Sequence, residues 1–372
     1  MKVFHCDHCR HLVFFESTTC LNCGKRLAYL PALGVIGSLD ESKSDPPTYT
    51  SPLPRAAGAE YRLCENYTVN NVCNWAIPAK STDPHCLSCR LTTIIPDLNV
   101  AGNRERWAKL ETAKRRLLYT LAKLNLPLVP KAEGDAGLAF EFLADPPPGT
   151  HAERVLTGHD DGVITLNVAE ADDAEREKRR VSLGEPYRTL LGHLRHEVGH
   201  YYWNLLIENG GKLDAFRAMF GDERRDYGEA LKAHYSNGPA PDWQNRFVSS
   251  YAGSHPWEDW AESWAHYLHM TDTLETAAAC GVSIRPPRKN EPALKDTPDP
   301  LEDKGLPFDR IMENWYAITY VLNNLNRGLG LLDAYPFVLS TTAVEKLRFI
   351  HETVLQFAAP VETPALPVSV LV

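Results

Sequence analysis

Apolar residues recur at helical spacing in the stretch that follows Arg104. They fall three and four positions apart, so one side of a helix would carry them all. Leu126 and Pro127 close the stretch, because proline cannot continue a helix. The pattern predicts a long amphipathic helix whose buried stripe consists of Trp107, Leu110, Ala113, Leu117, Leu118 and Leu121.

A second helix is predicted to begin with Pro186 in its first turn and to stop at Asn209-Gly210-Gly211. Proline fits the first turn of a helix, and glycine favours the positions just after its end. The chain beyond this point also has a mainly helical pattern, with long segments near residues 256–279, 308–327 and 341–357.

Two short apolar runs between these helices have the character of strands. They are Leu138–Leu143 and Gly162–Val168, and the turn residues His159 to Gly162 lead into the second run. We therefore expect a small antiparallel hairpin or sheet. Together with the helices, this predicts a mainly α fold with a small antiparallel β-sheet.

The expected organisation begins with two small cysteine-rich units. The first unit, a predicted zinc ribbon, covers residues 1–36, and the second covers residues 59–99; each contains four cysteines. The stretch between them, 37–58, is rich in Ser, Pro and Asp and is predicted to be a linker. Residues 100–372 are expected to form the larger domain.

The overall charge disfavours nucleic acid as a partner. The chain has a formal net charge of −9, whereas binding to phosphate backbones needs clustered Lys and Arg. The basic stretch Arg104–Arg116 is best explained as the solvated face of a helix. No window is apolar enough for a membrane span, and Met1–Cys6 leaves no room for a signal peptide, so we expect a cytoplasmic protein.

The cysteines predict structural zinc. Cys6, Cys9, Cys20 and Cys23 form two CxxC pairs, and two such pairs can surround one zinc as a tetrahedron. A unit of this size cannot bury enough apolar surface by itself, so the metal would supply folding free energy. The segment resembles zinc-ribbon knuckles, and its histidines at positions 5, 8 and 11 are not needed to complete the set.

A second zinc is predicted at a looser quartet, Cys64, Cys73, Cys86 and Cys89, in which only the last two form a CxxC pair. The alternative is that Cys64 and Cys73 are ordinary buried thiols. Because the chain is acidic, the expected role of both units is architectural or the contact of a protein partner. Cys280 is left over and is predicted to be a buried thiol.

The segment His196-Glu197-Val198-Gly199-His200 carries the chemistry of a zinc hydrolase. Positions four apart on a helix differ by only about 40° in direction. His196 and His200 can therefore bind one metal, and Glu197 beside them can accept a proton from a water on that metal. The alternative is a pair of surface histidines, which the surrounding apolar residues disfavour.

A catalytic zinc needs a third protein ligand. Asp226-Tyr227-Gly228 is similar to one known ligand motif but has the wrong spacing. The better source is residues 257–269, where one helix face would carry Glu258, Glu262, His266 and His269. An amphipathic surface helix without metal is the competing interpretation.

These motifs resemble the gluzincin pattern, in which ExxxE follows HExxH. The chain as a whole is similar to a bacterial family of zinc-binding metallopeptidases with an N-terminal zinc ribbon. The similarity rests on the cysteine quartets, the stretch Ile95–Leu98 and the two glutamate motifs. The resemblance implies a minimal zincin-like catalytic domain with Glu258 as the third zinc ligand.

The same resemblance implies roles for neighbouring residues. Glu262 would orient a ligand histidine, and Tyr251 would stabilise the oxyanion of the intermediate. The alternative for Tyr251 is a place in the core. Asp259 is a competing carboxylate. His193 shares the face of His196 and is expected to be a core histidine or to support the ligands.

The expected function is that of a zinc metallopeptidase with Glu197 as general base, one catalytic and two structural zinc ions, and a peptide or protein substrate. The substrate would pair with an exposed strand edge, for which residues 162–168 are the candidate. The alternative is a non-enzymatic zinc-ribbon scaffold, or a protein- or nucleic-acid-binding module, with a structural third metal. Glu197 favours hydrolysis, because a structural site has no need of a carboxylate there.

Overall fold

The computed structural model describes residues 2–146, 149 and 154–358. Helices contain more of these residues than strands do, and the strands concentrate in the first half of the chain. None of the described helices has the length and apolar character needed to span a membrane. The predicted larger domain includes residues 359–372, which lie outside the described part.

The described strands and helices run in the following order. The strands are β1 (Phe4–His5), β2 (Leu12–Val13), β3 (Arg26–Leu30), β4 (Val35–Glu41), β5 (Tyr49–Thr50), β6 (Tyr61–Leu63), β7 (Ala76–Pro78), β8 (Thr92–Ile94), β9 (Ala139–Leu143), β10 (Gly158–Asp160) and β11 (Val163–Asn167). The helices are α1 (Glu65–Thr68), α2 (Leu87–Arg90), α3 (Asn103–Lys123), α4 (Asp173–Leu183), α5 (Leu190–Trp203), α6 (Leu213–Phe220), α7 (Tyr227–Asn237), α8 (Pro256–Ala279), α9 (Phe308–Gly328) and α10 (Thr341–Ala358).

One antiparallel sheet joins the two cysteine-rich units, in the order β3-β4-β5-β6-β7. Residues 37–58, predicted to be a linker, instead contribute most of β4 and all of β5 to this sheet. The polar composition of the segment concealed the apolar residues Leu39 and Tyr49, which are buried in the sheet. The two units are therefore parts of one body.

This body packs directly on α3. The rings of Phe15 and Tyr29 lie 5.7 and 6.3 Å from that of Tyr119, and Tyr29 also contacts Trp75 at 4.8 Å. Arg115 on α3 donates to the backbone carbonyl of Val72 at 2.6 Å. The N-terminal sheet and the helical part consequently share a continuous core.

A second, mixed sheet has the order β10-β11-β9-β8. β11 and β8 both pair with β9 in parallel, and only β10 runs antiparallel, to β11. The expectation of a small antiparallel sheet was therefore wrong in detail. The turn at residues 160–163 joins β10 to β11, and the long connection after Leu143 lets the chain return and lie parallel to β9.

α5 and α8 approach closely, and this contact positions the site. A side chain at Gly199 would lie 3.1 Å from the Ala261 backbone and 3.2 Å from Trp264, so glycine lets the helices approach this closely without displacing a neighbour. Trp260 donates its indole N–H to the Gly199 carbonyl at 2.9 Å, and Arg195 forms a buried ion pair with Asp272. The two helices are thus fixed against each other in one register.

α5 begins later than expected. Thr189 accepts from the backbone N–H of Gly192 at 3.0 Å and caps the helix, so Pro186 precedes its first turn. Past Trp203 the helix continues as a wider turn, Asn204–Glu208, before it stops at Asn209. The predicted end of this helix is confirmed.

Candidate metal centre and active site

Three side chains converge between α5 and α8. Oε2 of Glu258 lies 3.0 Å from Nε2 of His196 and 3.6 Å from Nε2 of His200. Donors bound to one tetrahedral zinc at 2.0–2.2 Å are separated by about 3.4 Å, so these three atoms have the spacing of a ligand set.

The chemistry of these donors also fits zinc. Two imidazoles and a carboxylate form a common set for catalytic zinc with one position left open. The Glu258 side chain is only 1% exposed, and its Oε2 has no hydrogen-bond partner among the described residues. A buried carboxylate oxygen facing two imidazole nitrogens is well suited to a cation.

Glu197 lies beside these donors. Its carboxylate and the ligand nitrogens of His196 and His200 all fall within 4.8 Å of one another. Burial raises the pKa of the Glu197 carboxyl above its ordinary value, and the side chain faces a cavity. A carboxylate in this position can exchange a proton with a group held in the cavity.

Glu262 contacts the far side of His196. Its Oε1 lies 2.7 Å from Nδ1 of His196, and its Oε2 accepts from the Ser249 hydroxyl at 2.6 Å. If Nδ1 carries the proton, Nε2 keeps its lone pair for a metal. The structure thus places Glu262 where the family resemblance implied, and it adds Ser249, which the sequence pattern did not suggest.

Tyr227 contacts Glu258, the candidate third ligand. Its hydroxyl donates to Oε1 of Glu258 at 2.5 Å, while Oε2 of the same carboxylate faces the two histidines. Oε1 is therefore fixed by the Tyr227 hydroxyl, and Oε2 is held toward the two histidine nitrogens. In the sequence, Tyr227 stands out only as part of Asp226-Tyr227-Gly228, whose spacing is wrong for a metal ligand. Nothing local in the sequence indicates a hydrogen bond to Glu258, 31 positions away.

Removal of the Tyr227 hydroxyl is expected to weaken zinc binding without loss of fold. We expect Tyr227→Phe to lower zinc affinity by about 10- to 100-fold, the range found when a partner of a ligand is removed. Titration against a competing chelator would measure the change. Tyr235→Phe, on the same helix, is the control, since Tyr235 lines the cavity without a hydrogen bond to Glu258. Equal affinity in the Tyr227→Phe and wild-type proteins would contradict this role.

Asp259, the competing carboxylate, is engaged elsewhere. It accepts from the Lys346 ammonium of α10 at 2.5 Å in a fully buried contact. Lys346 also donates to the backbone carbonyl of Arg246 at 2.8 Å. This leaves Glu258 as the carboxylate that faces the histidine pair.

The remaining candidates lie farther from the ligand atoms. The Tyr251 ring is 6.0 Å from that of His196, in the cavity wall. His193 Nδ1 lies 3.8 Å from a Glu170 oxygen, in the wall of the same cavity. His266 lines the same cavity as Glu262 and His269, and its Nδ1 contacts the Tyr335 hydroxyl at 2.6 Å.

A cavity of about 430 Å³ opens beside Glu197, a volume within the range of about 300–1,000 Å³ typical of ligand pockets. Several of its walls were not anticipated from the sequence, because they come from α7 and from connecting segments outside α5 and α8. These unanticipated walls are Leu156, Glu170, Glu185, Tyr187, Arg188, His234, Tyr235 and Phe337.

Both cysteine quartets are assembled. Within each, the four sulfurs lie within 4.8 Å of one another, with Cys9 and Cys20 at 3.5 Å and Cys73 and Cys86 at 3.7 Å. Cys64 and Cys73 are therefore not isolated thiols, and the thiolate sets fit structural zinc. Cys280, expected to be buried, is exposed.

Comparison with known proteins agrees with this geometry. A family model described as "Putative zinc-binding metallo-peptidase" matches residues 103–353, and a zinc-ribbon domain model matches residues 3–100. Proteins of Mycobacterium tuberculosis and Mycobacterium bovis, both described as uncharacterized, are 43% identical over 368 residues, covering 98% of each chain.

No solved structure matches the chain. The family model spans more than half of the sequence and contains the HExxH helix and the Glu258 helix. This chain therefore belongs to the family described as "Putative zinc-binding metallo-peptidase", with an N-terminal zinc ribbon.

Proposed function

We propose that this chain is a zinc-dependent peptidase that hydrolyses peptide bonds with Glu197 as general base. The convergence of His196, His200 and Glu258, with Glu197 facing the same cavity, carries the proposal. These three ligands would hold the catalytic zinc, and the two cysteine quartets would hold structural zinc.

A bound zinc would polarise the scissile carbonyl and make a water acidic enough to attack it near neutral pH. Glu197 would accept the proton of that water and deliver it to the leaving amine. Its burial favours this shuttle, because the raised pKa brings the carboxyl closer to the pKa values of its proton partners.

Tyr251 supplies a donor to the oxyanion in this proposal. Burial raises the pKa of its hydroxyl, which keeps the proton on the oxygen and available for donation. The ring lines the cavity next to Glu197 and His196, on the face where charge develops.

The substrate strand is best placed along β10. β11, the candidate from the sequence, lies between β10 and β9 and has no free edge, so that expectation was wrong. β10 is an edge strand, and residues 155–157 that lead into it line the cavity. His159 of β10 lies 6.1 Å from the His200 ring, so a peptide added to this edge would pass over the metal-binding residues.

Cleavage of a peptide library tests the proposal. We expect the zinc-loaded protein to cut proteome-derived peptides, and o-phenanthroline to stop the reaction until zinc is restored. His196→Ala, which should keep the cysteine-bound zinc, is the matched control and should be inactive. A zinc-loaded wild-type protein that cuts no peptide would instead favour the scaffold alternative with a structural third metal.

A further inference from the structure

A single buried hydroxyl connects two parts of the site that the proposed mechanism uses separately. It belongs to Ser249, which is 6% exposed. Its Oγ donates to Oε2 of Glu262 at 2.6 Å and accepts the backbone N–H of Ala252 at 3.1 Å. A serine hydroxyl carries one proton and two lone pairs, so it can make both hydrogen bonds at once. Ser249 therefore joins α8, which carries Glu262, to the short turn that carries Tyr251.

The bond from Ser249 to Glu262 fixes the orientation of His196. Oε1 of Glu262 lies 2.7 Å from Nδ1 of His196, so the two carboxylate oxygens are engaged by different partners. The terminal torsion of a glutamate is soft, and rotation about it would carry Oε1 away from the imidazole. The Ser249 hydroxyl opposes this rotation because it holds the other oxygen. Partners of this kind orient a ligand histidine at a metal site.

The bond from Ser249 to Ala252 fixes the turn Tyr251–Gly253. A serine hydroxyl that accepts the backbone N–H three residues further along caps the start of a helical turn. Ala252 is fully buried, so its N–H has little access to water as a substitute acceptor. Tyr251 precedes Ala252, and its ring lies 6.0 Å from that of His196. Loss of the Ser249 hydroxyl would therefore release the turn that places the Tyr251 ring in the cavity wall.

A second serine of the same segment provides a contrast. Ser254 is 5% exposed, about as buried as Ser249, and its Oγ has no hydrogen-bond partner within the described part of the chain. Burial of a serine in this segment therefore does not by itself dictate a link between elements. Ser249 differs because one of its bonds reaches the carboxylate that contacts His196, and the other reaches the turn that carries Tyr251.

We propose that Ser249 is a positioning residue that couples the His196 imidazole, through Glu262, to the hydroxyl of Tyr251. One side chain thereby holds a candidate metal ligand and the oxyanion donor in a fixed relation, although the two lie on different elements. The role of Tyr251 as donor rests on the proposed function, whereas both hydrogen bonds of Ser249 can be tested without any activity.

Zinc affinity tests the bond to Glu262. The zinc ion that His196→Ala lacks is titrated against a competing chelator in each variant. Ser249→Ala is expected to hold it about 10-fold more weakly, the lower end of the range for partners of ligands, and Ser249→Thr, which keeps the hydroxyl, should restore the affinity. Ser254→Ala removes a hydroxyl of similar burial and should bind zinc like wild type. Ser249→Cys, whose thiol is a weak donor, replaces the alanine variant if that variant does not fold.

Hydrogen exchange tests the bond to Ala252. The Ala252 amide should exchange about 10-fold faster in Ser249→Ala than in wild type, because it loses its acceptor. Its rate should be unchanged in Ser254→Ala, which leaves that acceptor in place. Mass spectrometry with fragmentation that resolves single amides would measure these rates in the zinc-loaded protein.

A double-mutant cycle tests the coupling to Tyr251. With zinc saturating, Ser249→Ala should lower kcat for a cleaved peptide by about 10- to 100-fold with little change in KM, since a group displaced by about 1 Å can cost about 100-fold. In the Tyr251→Phe background, the same substitution should cost less than about 3-fold, because the hydroxyl that Ser249 positions is already absent. Equal losses in the two backgrounds would show that Ser249 does not act through Tyr251.

The outcomes separate this inference from the proposed function. Wild-type zinc affinity in Ser249→Ala, unchanged exchange at Ala252, or equal losses of kcat with and without the Tyr251 hydroxyl overturns the positioning role and leaves the peptidase proposal standing. If wild type cuts no peptide, the peptidase proposal fails. The positioning role then stands if zinc affinity falls and Ala252 exchange rises in Ser249→Ala but not in Ser254→Ala, and it is overturned if either is unchanged.

Discussion

Glu197→Gln is expected to reduce kcat/KM for peptide hydrolysis by on the order of a hundredfold to ten-thousandfold, the usual contribution of a general base. The amide has the same shape as the carboxylate but cannot accept the proton of the attacking water. Its neighbours His196 and His200 keep their own contacts, so the cavity should be unchanged. Initial rates on a fluorogenic peptide that the wild type cleaves would measure the loss.

Zinc content provides the control for this variant. Because Glu197 is not one of the three converging ligands, Glu197→Gln should bind as much zinc as the wild type, and equally tightly. Tyr251→Phe is a useful companion, since it should lower the rate and leave zinc content unaltered. A Glu197→Gln protein that keeps wild-type activity would remove the general base from the mechanism.

Loss of the second cysteine quartet is expected to destabilise the whole chain. Cys86→Ser removes one of four thiolates whose zinc would supply folding free energy, about 10–16 kcal/mol in isolated zinc-finger peptides. The site lies next to the Arg115–Val72 contact with α3, and Thr120 of α3 donates to Asp272 of α8. Damage at the quartet should therefore reach the helices that carry the metal-binding residues.

Thermal unfolding and zinc analysis together measure this effect. We expect Cys86→Ser to bind one zinc fewer and to unfold at least about 10 °C below wild type, since several kcal/mol would be lost and each shifts the Tm by about 2 °C or somewhat less in a chain longer than 250 residues. Cys280→Ser is the matched control, because Cys280 is exposed and belongs to neither quartet. Wild-type stability and zinc content in Cys86→Ser would show that the quartet binds no structural metal.

The parts of the site that the sequence predicted are those encoded within a few residues. His196, Glu197 and His200 lie on one helical turn, so their geometry follows from the pitch of a helix. The CxxC pairs are equally local. Glu258 is 62 residues from His196, and only resemblance to a family could suggest that their side chains meet.

The predictions that failed depend on contacts between residues that are distant in the sequence. The residues before Gly162 predict a turn, but nothing in the sequence indicates which strand lies on the other side of β11. In the structure that strand is β9, which runs parallel to β11. The predicted linker failed because composition averages over a segment, whereas β4 buries four consecutive residues, 36–39, although they include Gly37 and Ser38. Tyr227 was missed because its role depends on contact with Glu258, on another helix.

The most direct test of the central claim is an anomalous difference map at the zinc absorption edge, from crystals of the zinc-loaded protein. We expect a peak between α5 and α8, about 2.0–2.2 Å from Nε2 of His196, Nε2 of His200 and a carboxylate oxygen of Glu258. The peak should vanish in Glu258→Ala, whose crystals should retain the peaks at both cysteine quartets. Absence of density between the two histidines and Glu258, or a Glu258 side chain turned away from them, would contradict the peptidase assignment.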